Sequence, residues 1–425
     1  MSLNASRASV VVSIHIASRL MFLRYSHVRP VPMSRPFFVA LVALSTFVFQ
    51  SSVGHTAIEV PPDDVATGGA DAIRMRPGGD PVHGAASGGQ GFAETRGLTG
   101  GLGRASYVVT SAGDSGPGTY RDALAGGDRH ITFDPRLDGS TIHLGSPVQT
   151  EASNFTLDGS GRDITISGYA TKFEGTNIVV AGLKFKNATR STNEDAITFR
   201  SPSTEQIFGV YGNWFETASD GLIDIIWNQD HDVYGTICGN TFAHHDKALL
   251  VHSGDDANEG GRYHITLCNN LWVDIYKRAP MSRDARVHQY NDVFESFGGP
   301  GGDGGGSKSS AHSERSEHLL QNNIAIPRRM GERTFTGAET TRPRLEFAGP
   351  QLGGQGAIRI EGSLLLTNGG SRATQLENSR DVVFTPPYAY SLLPADEATR
   401  SMVTSAAGIC TPVAAPSVNP CQRLP

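Results

Sequence analysis

Apolar and polar positions recur along the middle of this chain with a long period. Five segments close on an aromatic residue: NIVVAGLKF at Phe185, IFGVYGNWF at Phe215, DVYGTICGNTF at Phe242, YHITLCNNLW at Trp272 and RVHQYNDVF at Phe294. Their ends lie 30, 27, 30 and 22 residues apart. A period of this length, built from short β-rich runs, predicts a solenoid whose rungs stack to bury one continuous core. An asparagine stands two residues before the closing aromatic in three segments, at Asn213, Asn240 and Asn270. Stacked parallel strands would superpose these residues, which predicts a hydrogen-bonded ladder. Leucine-rich and WD-type repeats share the period, but neither signature is present. The expected fold class is all-β, a right-handed single-stranded parallel β-helix with a short N-terminal capping helix. Thr119 and Asp122 in TYRDAL resemble the capping box that would start that helix.

Composition supports many tight corners and few long helices, since 50 of the 425 residues are glycine and only 18% are charged. The formal charge of −6 is mild, so bulk electrostatics would draw neither nucleic acid nor an acidic polymer. Any anionic partner must be held by local cations. Nothing points to a nucleic-acid or protein partner, and a monomer is the default for a capped solenoid.

The apolar run FFVALVALSTFVF, Phe37 to Phe49, is 13 residues long. That is short for a membrane span and suits the core of a secretory signal, with a membrane anchor as the plain alternative. Met33 opens a conventional signal of its own and is a second candidate start. The expected organisation is a signal region over 1–54, a Gly/Ala/Pro-rich linker or pro-segment over 55–103, a β-helix domain over 104–412 and a Pro-rich tail over 413–425. A secreted, extracellular protein with no membrane attachment after signal removal follows. Cys238 and Cys268 occupy matching places in TICGN and TLCNN and should stack on adjacent rungs, where two buried thiols are the preferred reading. Cys410 and Cys421 flank the tail, where an oxidising compartment permits a disulfide. Asn154 and Asn187 open N-x-T sequons.

The chemistry-bearing residues follow the same period. Asn193 and Asp195 are two apart and share a strand face, while Asp220 follows Asp195 by about one coil. Asp224 falls on the face of Asp220, but a straight strand would hold the two roughly 13 Å apart, so sharing an ion requires a bend, for which Gly221 is the candidate. These are oxygen donors, and an open, irregular site on a rigid wall suits Ca²⁺ better than Mg²⁺. Lys247 and Arg278 follow on the next rungs, and Arg283 lies beyond Pro280. Ion pairs with the aspartates are the plain alternative for each cation. Together they form a strip that would grip a uronic acid polymer through Ca²⁺ at one end and ion pairs at the other. His244 and His245 are adjacent, point apart in a strand, and are poor candidates for a transition metal. The loop GGPGGDGGGSKSS, Gly298 to Ser310, lacks the lysine directly after its last glycine that a phosphate-binding loop requires, and reads as a mobile loop near the cleft.

DAITF at Asp195, DGLIDI at Asp220, HHDKALL, the R-x-P-x-x-R of Arg278 to Arg283 and the following VHQYND resemble the core motifs of the pectate lyases of polysaccharide lyase family 1. The resemblance extends to TSAGDSGPGTYRDAL and FTPPYAYSLLPADEA and covers roughly residues 103 to 412. It implies a parallel β-helix that cleaves polygalacturonate by Ca²⁺-dependent β-elimination to 4,5-unsaturated oligogalacturonides. It places Asp195, Asp220 and Asp224 at calcium positions, Lys247 and Arg283 at substrate-carboxylate positions, and Arg278 at the position of the proton-abstracting arginine. An arginine base implies an alkaline optimum. Asn193 stands where many members carry a further aspartate, which removes one charge but keeps an amide oxygen. The Trp-x-Asp-His strand common ahead of the DG motif is replaced by GVYGNWF. A pectin lyase acting on methyl-esterified pectin and a catalytically silent polysaccharide-binding β-helix are the alternatives; the acidic trio argues against the first, and the cations argue against the second.

Overall fold

The computed structural model describes residues 91–186, 194–200, 204–226, 231–252, 262–297, 312–314, 316–327, 333, 357–367, 370–371 and 384–408. Asn187, Asn193, the signal region, the Gly298 to Ser310 loop, Cys410, Cys421 and the tail lie outside them.

Short β-rich runs separated by turns give two sheets, of ten and sixteen strands. In the first, successive strands pair in parallel from Ala105–Val109 to Ala357–Glu361. The second consists of two parallel runs that meet in the eleven-residue strand Thr241–Val251, with one antiparallel pair, Leu364–Thr367 with Gly370–Ser371, at its end. Each circuit of the chain adds a strand to every wall it passes, which is the expected parallel β-helix. One wall carries the functional candidates, on strands β1 (Thr171–Phe173), β2 (Ile197–Phe199), β3 (Gly221–Ile225), β4 (Thr241–Val251) and β5 (Met281–Arg283).

The five closing aromatics stack through the core. Phe185, Phe215, Phe242, Trp272 and Phe294 follow one another with ring centroids 5.1, 5.4, 4.3 and 5.7 Å apart and interplanar angles of 20° or less. All are buried. Each contributes about 1.5–3 kcal/mol by leaving water, so this column alone is a large part of what holds the rungs in register.

The asparagine ladder is present and runs further than the sequence pattern indicated. The Asn213 backbone N–H donates to Asn240 Oδ1 at 3.0 Å, Asn240 N–H to Asn270 Oδ1 at 2.9 Å, Asn270 N–H to Asp292 Oδ1 at 2.7 Å, and Asp292 N–H to Asn323 Oδ1 at 2.8 Å. Asp292 also accepts from the Asn270 amide, Trp272 Nε1 and Gln289 Nε2. Burial pushes its acid up to about 7 in spite of these donors. A carboxylate there satisfies the turn above it and anchors an indole and an amide at once.

Cys238 and Cys268 form a disulfide, which corrects the expectation of two thiols. They are register partners on neighbouring strands, with α-carbons 4.5 Å apart, inside the range a disulfide spans. The bond closes one complete coil, the coil that carries Lys247.

Helix α1 (Phe92–Thr95) lies within the stretch expected to be linker, yet it packs on the ten-stranded sheet with Phe92, Ala93 and Leu98 buried. Its backbone N–H groups at Phe92 and Ala93 donate to Thr266 and Thr236. Helix α2 (Tyr120–Leu124) begins at Thr119, whose hydroxyl accepts from Asp122 N–H as the capping pattern predicted. Helix α3 (Glu397–Ala406) covers Leu271, Val293 and Ile324 with Val403. Among the described residues no helix is long and apolar enough to cross a membrane.

Candidate functional site

Corners in the chain create the site. In β3, Leu222 and Ile223 are neighbours in sequence and both belong to the buried core, along with Ile225. Strict alternation cannot do this, so the strand turns between them and sends Gly221 and Asp224 to the same outer side. The rungs on either side repeat the device with Ala196 and Ile197, and with Ala248 and Leu249. The required bend therefore exists, one residue beyond Gly221.

Register then assembles the wall. Thr198 pairs with Asp224, Asp224 with Leu250, and Leu250 with Met281. Gly221 pairs with Lys247, and the Ala196 N–H donates to the Gly221 carbonyl at 3.0 Å, which sets Asp195 beside Gly221. A β-carbon at Gly221 would lie 2.7 Å from Asp224 Oδ1 and 2.9 Å from Asp195 Oδ1. Two carboxylates from adjacent rungs thus converge over a glycine that leaves the space open. Asp195 Oδ1 accepts the Gly221 N–H at 2.8 Å, and its other oxygen accepts from the Thr198 hydroxyl at 3.2 Å. Asp224 Oδ1 is buried without a partner.

The electrostatics record this crowding. Burial pushes the Asp195 acid up to about 6. Burial and then the Asp195 charge push Asp224 well above the carboxylate range, against the pull of Arg278. An orphaned oxygen, an open cradle and oxygen-only donors fit a hard cation. Asp195 and Asp224 supply the convergent pair. Among the described residues no group of three or more His, Cys, Asp and Glu side chains forms a ready-made cage.

The remaining predicted residues surround this pair unevenly. Asp220 lies in the turn before β3 and its carboxylate pairs with Lys247, so these two engage each other instead of sharing the cradle. Arg278 is half-buried, has a positive φ of 62°, and its guanidinium makes no ion pair or hydrogen bond among the described residues. It is nevertheless close enough for its charge to act on both Asp195 and Asp224. Arg283 ends β5.

Sequence reasoning gave no role to His245, His252 or Asp284. The buried His245 holds the Asp220 carbonyl through Nε2 at 2.7 Å and so fixes the turn that aims Asp220. The adjacent His244 is exposed and faces Asp274 instead, so the two rings do point apart. His252 Nδ1 lies 3.4 Å from Asp284, both nearly fully buried, with the ring stacked on Tyr263. Their proximity in sequence to Lys247 and Arg283 was the available signal.

Comparison with known proteins agrees with this architecture. The family described as Pectate lyase matches residues 212–410, a span that includes Asp220, Asp224, Lys247, Arg278 and Arg283. Pectate lyase plyB of Emericella nidulans is 31% identical over 161 residues, 36% of this chain and 48% of that protein. Probable pectate lyase B of Aspergillus flavus is 42% identical over 85 residues, 19% of this chain and 25% of that protein. The chain thus spans between a quarter and about half of the length of these relatives. Among solved structures, pectate lyase Bsp165PelA from Bacillus sp. N165, in complex with trigalacturonate, superimposes with a TM-score of 0.53 at 19% identity, covering 76% of this chain and 99% of that one. Jun a 1, the major allergen from cedar pollen, does so with a TM-score of 0.55 at 20% identity, covering 76% and 93%. At these identities the superpositions establish the fold alone. Residues 212–410 match the pectate lyase family, and the described strands wind into the parallel β-helix seen in the pectate lyase structures that superimpose on them.

Proposed function

We propose that this chain is a secreted, Ca²⁺-dependent pectate lyase that cleaves polygalacturonate by β-elimination, releasing 4,5-unsaturated oligogalacturonides. The observation that carries the reading is the convergence of Asp195 and Asp224 over Gly221, with Asp224 Oδ1 unpartnered and Arg278 unengaged beside them. A structural ion pair would leave neither a buried orphan oxygen nor an idle guanidinium.

Asp195 and Asp224 would hold the ion, with Asp220 and Asn193 as further oxygen donors. Bound there, Ca²⁺ supplies positive charge that stabilises the enolate-like state of a uronate whose C5 proton is leaving. Arg278 removes that proton, the electron pair forms the C4–C5 double bond, and the bond from C4 to the glycosidic oxygen breaks, the oxygen leaving with its electron pair and taking a proton from solvent. Only the minor neutral form of an arginine can accept a proton, so the rate rises toward alkaline pH. Lys247 and Arg283 hold substrate carboxylates, Lys247 by exchanging the Asp220 carboxylate for that of the sugar.

Ultraviolet absorbance of the unsaturated product, measured on polygalacturonate and on methylated pectin with and without chelator, tests the proposal. Product from polygalacturonate that chelator abolishes is expected. Chelator-resistant product from methylated pectin would replace this reading with a pectin lyase, and no product over a broad pH range would leave binding alone. Arg278→Ala should lose turnover at least a thousand-fold, on the order of a missing essential base, and keep Ca²⁺-dependent polygalacturonate binding.

A further inference from the structure

The wall that carries the carboxylate cradle continues toward the N-terminal rungs, where the chemistry changes. Register aligns Gln149, Lys172, Thr198, Asp224, Leu250 and Met281 in one outward column. Lys172 is the cation in this column and stands two rungs from Asp224, about 10 Å along the wall. Its rung is the one below Asp195 and Thr198.

Two ion pairs occupy this part of the wall, and they differ in how completely they are satisfied. Glu174 is buried and accepts both from Gln149, at 2.9 Å, and from Arg200, at 2.5 Å. Arg200 is therefore tied down by a carboxylate that cannot leave. Lys172 donates to Glu194 Oε1 at 3.0 Å, and both side chains remain partly open, at 25% and 19% exposure. A lysine has three N–H donors, and this is the one partner Lys172 engages among the described residues. The second oxygen of Glu194 is buried with no partner at all. The pair is thus short of contacts at both ends, on a surface continuous with the cradle.

We propose that Lys172 is a substrate-carboxylate anchor that binds a uronate unit of the polymer lying beyond the cradle on its N-terminal side. The inference rests on the lyase reading for the identity of the polymer. The incoming carboxylate takes up the unused N–H donors of Lys172 while Glu194 keeps or yields the third. Thr198, between Lys172 and Asp224, leaves a small, uncharged step across which the chain of sugars passes. On the other side of Asp224 the column carries Leu250 and Met281, so among these described side chains the charged group lies on the N-terminal side. The wall is therefore polar in its sense, and longer oligomers gain a contact that short ones centred on the cradle do not reach.

Calorimetric titration of the full chain carrying Arg278→Ala, which the lyase reading expects to bind without turnover, with trigalacturonate and hexagalacturonate in the presence of Ca²⁺ tests this; the Lys172 variants are made in the same background. Lys172→Met, which keeps the aliphatic stem, should weaken hexagalacturonate binding about five-fold or more and trigalacturonate binding less than two-fold. Lys172→Arg should restore most of the preference for the longer oligomer, a result that a packing role would not produce. Equal weakening for both oligomers, no weakening for either, or failure of arginine to rescue would overturn the assignment. Failure of the lyase reading itself would appear separately, as absence of unsaturated product from polygalacturonate with the unmodified chain.

Discussion

Substituting Gly221 with alanine tests the cradle by filling it. The added β-carbon would sit 2.7 Å from Asp224 Oδ1 and 2.9 Å from Asp195 Oδ1, both closer than such contacts are found. The backbone offers no obstacle, because Gly221 does not occupy the left-handed region. The strain must therefore go into the carboxylates. Asp224 is 6% exposed and Asp195 9% exposed, and Asp195 is also held by the Gly221 N–H, so neither can swing away freely. Overpacking of this kind costs about 1–3 kcal/mol, offset by about 0.4–1 kcal/mol from the stiffer unfolded chain. The net loss of stability should be small, a change of a few degrees in melting temperature. The displaced oxygens are the proposed ion ligands, however, and each 1.4 kcal/mol of misplacement is about ten-fold in affinity. Titration with Ca²⁺ followed by calorimetry should show binding weakened by about ten- to a hundred-fold in a protein that is still folded. A folded alanine variant that binds Ca²⁺ with unchanged affinity would refute the convergence of Asp195 and Asp224 on one ion.

Asp224→Asn removes a buried charge that faces another, so the variant should melt higher without Ca²⁺, by an amount on the order of 1–2 kcal/mol, while losing Ca²⁺ binding; a lower melting temperature would mean that Asp224 is paired in the ion-free protein. Asp292 has a folded-state acid at about 7, above the usual value of about 3.9, so its contribution to stability is full below about pH 4 and is lost as pH rises through 7. His264 and His288, pulled down to about 4 by burial, contribute in the opposite sense: fully above about pH 6.5 and progressively less as pH falls toward 4. Comparing Asp292→Asn with the unmodified chain from pH 5 to 8 by thermal melting should remove a loss of about 2–3 kcal/mol from the alkaline side, and parallel pH profiles would contradict that assignment. Replacing Cys238 and Cys268 together by serine opens a closure of 30 residues and should lower stability by about 3–4 kcal/mol, measured as a reduced melting temperature under non-reducing conditions; an unchanged melting temperature would show that stacking alone fixes that coil.

The parts of this molecule that were legible from residue order are those governed by repetition. The aromatic period gave the stack because every coil must return an identical volume to the same place in the core. The phase of Asn213, Asn240 and Asn270 gave the ladder because every turn exposes the same unsatisfied amide. Asp292 has that phase too, two residues before Phe294, and was passed over because an acid in a core reads as improbable until its four donors are seen. The disulfide was misjudged for a related reason: matching positions in TICGN and TLCNN showed that the sulfurs were neighbours, but a pair on adjacent parallel strands carries a low expectation that only the 4.5 Å separation reverses. The site was harder, because its geometry depends on where alternation fails. Asp195-Ala196-Ile197-Thr198 and Gly221-Leu222-Ile223-Asp224 share one polarity pattern, an apolar pair flanked by outward residues, and a corner is what lets both apolar neighbours be buried. That pattern, read on successive coils, brings Asp224 to Asp195 and leaves Asp220 to Lys247. The calcium question posed by Asp220 and Asp224 thus becomes a question about Asp195 and Asp224, where the open space above Gly221 is the decisive feature, because a side chain at that one position would separate a binding site from an ordinary corner.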